Sequence, residues 1–559
     1  MFRLLTILTA SALLLTGSPA SAAPRPEDKG SGPAIVGQAK SFNELLDITK
    51  AMVRNVGGDA IYKEFEKHVL PDLDPKRLPG IDPKRPFGLY GVIDAELSKC
   101  RGVLLIPVTS QKDFLDMLEA KLINVNKGKE EGTFDIVVPP DFPIPVSMRI
   151  HKEYAYIGIG GFDVLDPKVI LDPKDVINDK EKAVAYIALR LDRVPAEAKK
   201  FLLAALRDQT DHLKEMIQEP ELKDAFFSMQ KLTLRWLKTL FDEGKELAIR
   251  LDANSKTGEV FTEITVEGMP KSPLAAEIAK RPPTKNAFAS VPGNDYAQRI
   301  FVSAPLFAEE AKEALIKLIE YGQKEAVQEA ARGAPAEVVS LVEAVFKSLK
   351  ATVESGEMDL AAALRGPNKD GFYTAVGAVH CKEGAQLEKA IKEAVKKAPG
   401  QISGFFKFDA QKIGELTVHE IDLTSIAEEP AKKIFGEGQK AYFAFGKDAL
   451  YASYGPDGMK LLKEAIAAKP GPAPAFDSTA DGKKVADIMK KLIPQNAKGP
   501  QIRLGWSETV TSGLQVTLEG GDRLKVRVSL NLTMLMMGLG GWAESTQGGV
   551  APAAVPAKN

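Results

Sequence analysis

Five histidines are the residues of this chain best suited to act as general bases or metal ligands near neutral pH. They are His68, His151, His212, His380 and His419. None follows another at the His-x-x-His or H-E-x-x-H spacing that places two imidazoles on one face of a zinc-binding helix. The pair His419-Glu420 lies in a predicted strand, where adjacent side chains point to opposite faces. The sequence therefore predicts no metal-binding residue and no His–Glu dyad.

Cys100 and Cys381 are the two thiols that could act as nucleophiles. Cys381 follows His380 near a predicted strand end, where the two side chains point apart, so we expect it to be a buried apolar residue. Cys100 lies in a polar turn between Lys99 and Arg101, whose charges could lower its thiol pKa. A disulfide between the two cysteines is left open, because an exported protein can form one.

Catalytic and cofactor motifs are missing from the sequence. It contains no G-x-S-x-G elbow, Walker A loop or S-x-x-K set in a suitable context. Residues 538–543 fit G-x-G-x-x-A, but too little chain follows them to complete a dinucleotide-binding unit. Four Asp-Pro-Lys triplets begin at Asp74, Asp82, Asp166 and Asp172 and indicate helix starts and tight turns. The sequence predicts no catalytic residue, no cofactor-binding residue and no cofactor.

Composition and charge exclude a disordered chain, a collagen and a coiled coil. The chain has 559 residues, 44% of them hydrophobic and 27% charged, as in globular proteins. Its 74 Lys and Arg against 75 Asp and Glu give a net charge of −1. A nearly neutral chain has no overall field that would attract nucleic acid, so we expect no nucleic-acid partner.

The N-terminus has the pattern of a secretory signal peptide over residues 1–22. Arg3 precedes an apolar run at 4–15, and Ala20-Ser21-Ala22 resembles a cleavage site. The run is too short for a transmembrane anchor, so we expect an exported, soluble periplasmic or extracellular protein. Residues 23–35 indicate a flexible leader and 544–559 a disordered tail. The apolar segment 530–542 is expected to be a final strand and turn, with a Met-rich docking patch as the alternative.

Strand and helix patterns occur in a repeated order. The hairpin of 148–150 with 154–156 matches that of 440–445 with 449–454, and the late hairpin 247–266 matches 513–530. The helix predicted at 221–244 carries an apolar stripe that should bury Trp236 and Phe241. We predict an α+β fold of two similar modules, 36–283 and 284–543, each an antiparallel sheet covered by helices.

The run Gly80-Ile81-Asp82-Pro83-Lys84-Arg85-Pro86-Phe87-Gly88-Leu89-Tyr90-Gly91 is followed by paired strands and by the hairpin segment 154–161. This arrangement resembles large exported bacterial proteins that carry only a domain-of-unknown-function label. The resemblance covers most of the mature chain. It implies no activity, so no residue takes a role from it.

Two classes of function remain. The first is a non-catalytic exported protein that binds a protein partner, an envelope component or an apolar ligand, and it is the one that we expect. The second is an exported hydrolase whose carboxylates meet only in the fold, because paired carboxylates leave no short motif. An apolar groove would favour the first class, and two close acidic groups with a raised pKa in a cleft would favour the second.

We predict that the native protein is cleaved after Ala22, because small residues at 20 and 22 are the positions that signal peptidases recognise. N-terminal sequencing of the protein from its source cells should begin at Ala23. Recovery of the chain with an intact Met1 would contradict the prediction.

Overall fold

A computed structural model describes residues 32–492 and 511–531. Within these ranges, short gaps fall at 75–76, 97–98, 122, 129, 138–144, 160–161, 216, 218, 255, 257–258, 306–308, 333–334 and 399. The predicted signal peptide, the tail 544–559 and nearly all of the apolar segment 530–542 lie outside the described residues.

The described residues form 22 strands. In chain order they are β1 (Ile35–Ala39), β2 (Phe87–Val92), β3 (Arg101–Pro107), β4 (Val125–Lys127), β5 (Thr133–Ile136), β6 (Val146–His151), β7 (Tyr154–Ile159), β8 (Ala185–Arg190), β9 (Gly244–Asn254), β10 (Glu259–Gly268), β11 (Lys285–Asn286), β12 (Tyr296–Pro305), β13 (Glu357–Arg365), β14 (Thr374–His380), β15 (Phe406–Ile413), β16 (Leu416–Asp422), β17 (Lys440–Phe445), β18 (Ala449–Tyr454), β19 (Gly471–Pro472), β20 (Phe476–Asp481), β21 (Thr511–Glu519) and β22 (Leu524–Asn531).

Helices connect the strands at most of the longer crossings. They are α1 (Phe42–His68), α2 (Gln111–Ala120), α3 (Pro173–Val176), α4 (Ala196–Glu215), α5 (Pro220–Glu243), α6 (Pro273–Lys280), α7 (Glu309–Ala331), α8 (Ala336–Glu354), α9 (Gly384–Lys397), α10 (Gly400–Ser403), α11 (Glu429–Phe435), α12 (Gly458–Ile466) and α13 (Gly482–Leu492). Among the described residues, no helix is long and apolar enough to cross a membrane.

All strands except β11 and β19 join one antiparallel sheet of 20 strands. The strand pairs give the spatial order β4-β5-β6-β7-β3-β2-β1-β8-β9-β10-β22-β21-β20-β12-β13-β14-β18-β17-β16-β15. The predicted α+β class with an antiparallel sheet and helices is thereby confirmed.

The order of strands is the same on both sides of the central pair β10–β22. Outward from β10 lie β9, β8, β1, β2, β3, β7, β6, β5 and β4, and outward from β22 lie β21, β20, β12, β13, β14, β18, β17, β16 and β15. At the centre, Thr262 of β10 lies opposite Val528 of β22. We call β1–β10 the first half of the sheet and β12–β18 with β20–β22 the second half.

At the centre of the sheet the two faces differ in polarity, because residues alternate along the strand β22. On β22, Leu524, Val526 and Val528 lie on the same face, and Lys525 and Arg527 lie on the other. The apolar face, which we call the inner face, carries helices α5 and α6 at its centre. The opposite, outer face is covered by α3 in the first half and by α12 in the second.

Helix α5 begins and ends within one residue of the predicted helix 221–244. Phe241 is buried against the inner face, as predicted, whereas Trp236 is only half-buried beside it. The helix also contacts α4 and α7, and α7, α8 and α9 follow one another as neighbours. A row of helices therefore extends along the inner face and reaches the second half of the sheet.

Asn286 anchors the connection between the two halves. It is fully buried, and its Nδ2 donates to the carbonyl oxygens of Val302 and Leu360, at 2.9 and 3.2 Å, and contacts Ser303 Oγ at 2.8 Å. Its Oδ1 accepts a hydrogen bond from the Phe288 amide at 2.8 Å. One side chain thus satisfies polar groups of two neighbouring strands and of its own turn.

Replacing Asn286 with Ala should lower the free energy of unfolding by about 2 kcal/mol or more, because buried partners lose their hydrogen bonds. Urea unfolding followed by circular dichroism measures the change. Asn294→Ala, at an exposed position of the same connection, is the control and should leave the midpoint unchanged. Equal midpoints for both variants would contradict the role given to Asn286.

Candidate functional site

A cavity of about 670 Å³ lies on the inner face in the second half of the sheet. Pockets of about 300–1,000 Å³ typically hold small molecules. We call this cavity the groove. Its lining residues are Gln298, Ile300, Ala362, Ala363, Leu364, Ala375, Val376, Gly377, Ile391, Phe406, Ile421, Ala441, Tyr442, Phe443, Phe445, Leu450, Ala452, Ser453 and Tyr454.

Small residues in register across adjacent strands form the floor of the groove. Ala362 of β13 pairs with Gly377 of β14, which pairs with Ala452 of β18. Ala452 pairs in turn with Phe443 of β17. Because a methyl group or a hydrogen rises little above the sheet, three successive strands leave space that a larger side chain would fill.

The first half of the sheet carries larger residues at the same positions. Both β6–β7 and β17–β18 are hairpins with two-residue turns, at 152–153 and 447–448. The fourth residue after the turn is Ile157 in the first hairpin and Ala452 in the second. Ile157 pairs with Leu104, and Leu104 pairs with Leu89. The fold therefore accepts Leu, Leu and Ile where the groove has Ala, Gly and Ala.

Helix α9 forms one wall of the groove. Ile391 lies against the inner face, and Leu387 packs with Phe445 and Leu450 in the same apolar cluster. The helix follows directly after β14, so the connection that crosses the sheet also covers it. Helix α8 adds Leu341 behind this wall.

The lining of the groove contains no Asp, Glu, Lys, Arg or His. On the inner face, polar side-chain groups of the lining come only from Gln298 and Tyr454, because the side chains of Tyr442 and Ser453 pack against α12 on the outer face. The Ser453 hydroxyl already donates to the Gly458 carbonyl at 2.7 Å. The groove can therefore bind apolar matter, but its own side chains offer no acid, base or nucleophile pair for catalysis.

Four titratable residues form a cluster at the end of the groove nearest β15. His419 of β16 lies with its Nε2 3.1 Å from Glu388 Oε1, and its ring centre lies 4.9 Å from that of Phe443, a lining residue. Lys392 Nζ lies 2.8 Å from a carboxylate oxygen of Glu388 and 2.8 Å from one of Asp409. We call these four residues the His419 cluster.

Hydrogen bonding assigns the tautomer of His419. The Asp409 amide donates to Nδ1 at 3.1 Å, so Nδ1 is the acceptor and Nε2 carries the proton that is donated to Glu388. The side chain of His419 is fully buried, and burial lowers its pKa against the opposing effect of Glu388. The hydrogen bond from Lys392 lowers the pKa of the Asp409 carboxyl. The histidine is neutral at pH 7, and the two carboxylates share one ammonium group.

Glu388, Asp409 and His419 bring three possible metal ligands within 4.8 Å of one another. The ammonium of Lys392 already lies between the two carboxylates, and Nδ1 of the imidazole is occupied by a backbone amide. A cation would have to displace a bound lysine. The cluster is therefore better explained as a network of ion pairs and hydrogen bonds than as a metal centre.

The structure separates most of the residues that the sequence marked for chemistry. Cys381 is buried, burial raises its thiol pKa, and its Sγ lies 3.2 Å from Ser348 Oγ rather than near His380. The expectation of a buried apolar Cys381 is thus confirmed. Cys100 and Cys381 are both free thiols, with no disulfide between them. His380 instead accepts from the Asp359 amide at 3.4 Å.

The remaining histidines lie elsewhere. His68 lies on the exposed end of α1 beside Glu64, at 3.3 Å, and His151 ends strand β6. The side chain of His212 lies outside the described part of the chain.

Two described carboxyl groups have a raised pKa, namely those of Glu277 and Asp359. Burial is the main cause in both, and Arg281 opposes it at Glu277. Asp359 accepts from the Ala287 amide at 2.7 Å. Neither residue lines the groove. Among the described residues, no carboxyl group with a raised pKa lies in the groove, so these carboxyl groups do not support the hydrolase alternative.

The His419 cluster was missed by the sequence analysis, which compared His419 only with its neighbour Glu420. Its partners lie 31 and 10 residues away along the chain. The one local signal was the spacing of Glu388 and Lys392 at i and i+4 on a helix, which is common on solvated surfaces. The pairing of β15 with β16 brings Asp409 to His419, and the packing of α9 on the sheet brings Glu388 and Lys392 to them.

Comparisons with protein-family models, with curated proteins and with solved structures return no match. The resemblance to exported proteins with a domain-of-unknown-function label therefore stays a prediction.

The buried neutral His419 predicts a dependence of stability on pH. Its pKa is lowered in the folded state, while in the unfolded chain it is about 6.5. Below that pH the unfolded chain binds a proton that the folded protein excludes, so the unfolding free energy should fall as pH decreases from 7 to 5. Glu388, Asp409 and Lys392 face the ring and remain in place when it is replaced.

His419→Gln should therefore reduce the loss of unfolding free energy between pH 7 and 5, measured by urea titration at each pH. His68→Gln, at an exposed position, is the control and should keep the loss seen in the parent. The role given to His419 is wrong if the two variants lose the same free energy over this range.

Proposed function

We propose that this protein is a non-catalytic binding protein that holds an apolar ligand in the groove. The observation that carries the proposal is the floor of Ala362, Gly377 and Ala452, beneath a lining without any ionisable acid or base apart from tyrosine. Hydrophobic transfer from water supplies the affinity, since little else in the lining can.

The fold does not require small residues at the floor of the groove. The first half accommodates Leu89, Leu104 and Ile157 at the corresponding positions. Unfilled apolar space costs stability, because the lining loses packing contacts. A chain that keeps Ala and Gly at these positions forgoes that stability, and a ligand that fills the space restores the missing contacts. This comparison favours an apolar ligand over a protein partner or an envelope component with a flat surface.

We also infer that residues 36–283 and 284–543 are two similar modules of an exported protein. Support for the modules comes from the shared strand order on the two sides of β10–β22. Support for export comes from the sequence of residues 1–22. Superposing the two sets of ten strands in an experimental structure tests the first inference, and fewer than half of them matching would refute it.

Ala452→Ile should weaken the binding of an apolar dye such as Nile red by about tenfold or more, since the added side chain occupies the floor of the groove. Ala452 is exposed within the groove, and the first half carries Ile at that position, so the variant should fold as the parent does. Fluorescence titration measures the binding, and circular dichroism checks the fold.

Ala120→Ile, at the exposed end of α2, makes the same chemical change away from the groove and should bind the dye as the parent does. If Ala452→Ile and Ala120→Ile bind the dye equally well, the groove is not the binding site and the proposal fails.

A further inference from the structure

The groove is long across the strands and short along them. Its lining comes from seven adjacent strands, β12, β13, β14, β18, β17, β16 and β15. Six spacings between neighbouring strands amount to about 29 Å along the sheet. On each strand the lining covers at most a few residues, such as 450–454 on β18, which is about 14 Å or less.

The floor is smooth across three strands and then meets an aromatic side chain. Along the central row, Ala362, Gly377 and Ala452 present only methyl groups or hydrogen to the ligand. The next residue of the row, Phe443, is part of the lining, and it pairs with the buried His419, whose ring centre lies 4.9 Å from its own. A ligand that lies along this row is extended, and its tip meets aromatic rings.

The groove has no side chain that would recognise a particular polar group at the end of a ligand. No charged side chain lines it, and Lys392, in the neighbouring His419 cluster, is paired with both Glu388 and Asp409. A carboxylate, hydroxyl or ammonium group on the ligand would therefore remain in water at the open side. Recognition is left to the length and flexibility of the apolar part.

From this geometry we propose that the ligand is the unbranched alkyl chain of a single-chain lipid, which lies across the strands of the second half and is selected by chain length rather than by head group. The proposal rests on the proposed function, because it names the ligand class of the same groove.

Displacement of Nile red from the full-length protein tests the proposal with octanoic, decanoic, dodecanoic and tetradecanoic acid. Affinity should rise by about fourfold with each added CH₂ group, as expected when a methylene leaves water. A rigid sterol should displace the dye less well than the best fatty acid. Dodecanol and dodecylamine should match dodecanoic acid within about fourfold, the effect of one methylene.

Ala452→Ile should flatten the rise with chain length, and Ala120→Ile should keep it. If affinity is independent of chain length, if the sterol binds more tightly than every fatty acid, or if the three head groups differ by more than about tenfold, the alkyl-chain proposal is overturned while dye binding in the groove stands. If the dye itself binds equally to Ala452→Ile and Ala120→Ile, the proposed function fails first.

Discussion

The antiparallel pairing of β10 with β22 is the interaction on which the rest of the sheet depends. In the described part of the chain, it is the pairing that joins the first half of the large sheet to the second. The pair is antiparallel, with Thr262 opposite Val528, and from it each half continues outward in the same strand order. This register also places Ile264 and Val266 of β10 on the same face as Val526 and Leu524 of β22, and a slip of one residue would turn the two sets to opposite faces.

With the two faces of the sheet set by register, the size of the side chains decides whether a half of the sheet contains a groove. Backbone pairing is the same around Leu104 and around Gly377, each of which lies between two neighbouring strands of its own half. Changing Leu to Gly at such a position removes a side chain without altering the ladder of hydrogen bonds. A groove can therefore be made in one half at a modest cost in stability, while the helices and turns that frame it stay as they are.

Local signals in the sequence predicted much of the fold. Alternating strand patterns on either side of a short turn predicted the hairpins β6–β7 and β17–β18, and the structure closes each with a two-residue turn, at 152–153 and 447–448. The shorter β4 and β5 carry too few residues to show alternation and were not predicted. The groove and the His419 cluster arise from residues far apart in the chain, such as Ala362 and Ala452, and no pattern in one sequence records which strands become neighbours.

The edge of the sheet explains why the charged cluster lies where it does. Strand β15 pairs only with β16 among the described strands, so its outer edge exposes unpaired backbone groups to other chains. A bulge between Lys407 and Gln411 interrupts this edge, and Asp409 within it adopts a φ of +53°. The bulge brings Asp409 to Lys392 and its amide to His419. The same bulge thus places a charged side chain at the exposed edge of the sheet and a backbone donor against the buried His419, whose ring lies beside Phe443 of the groove.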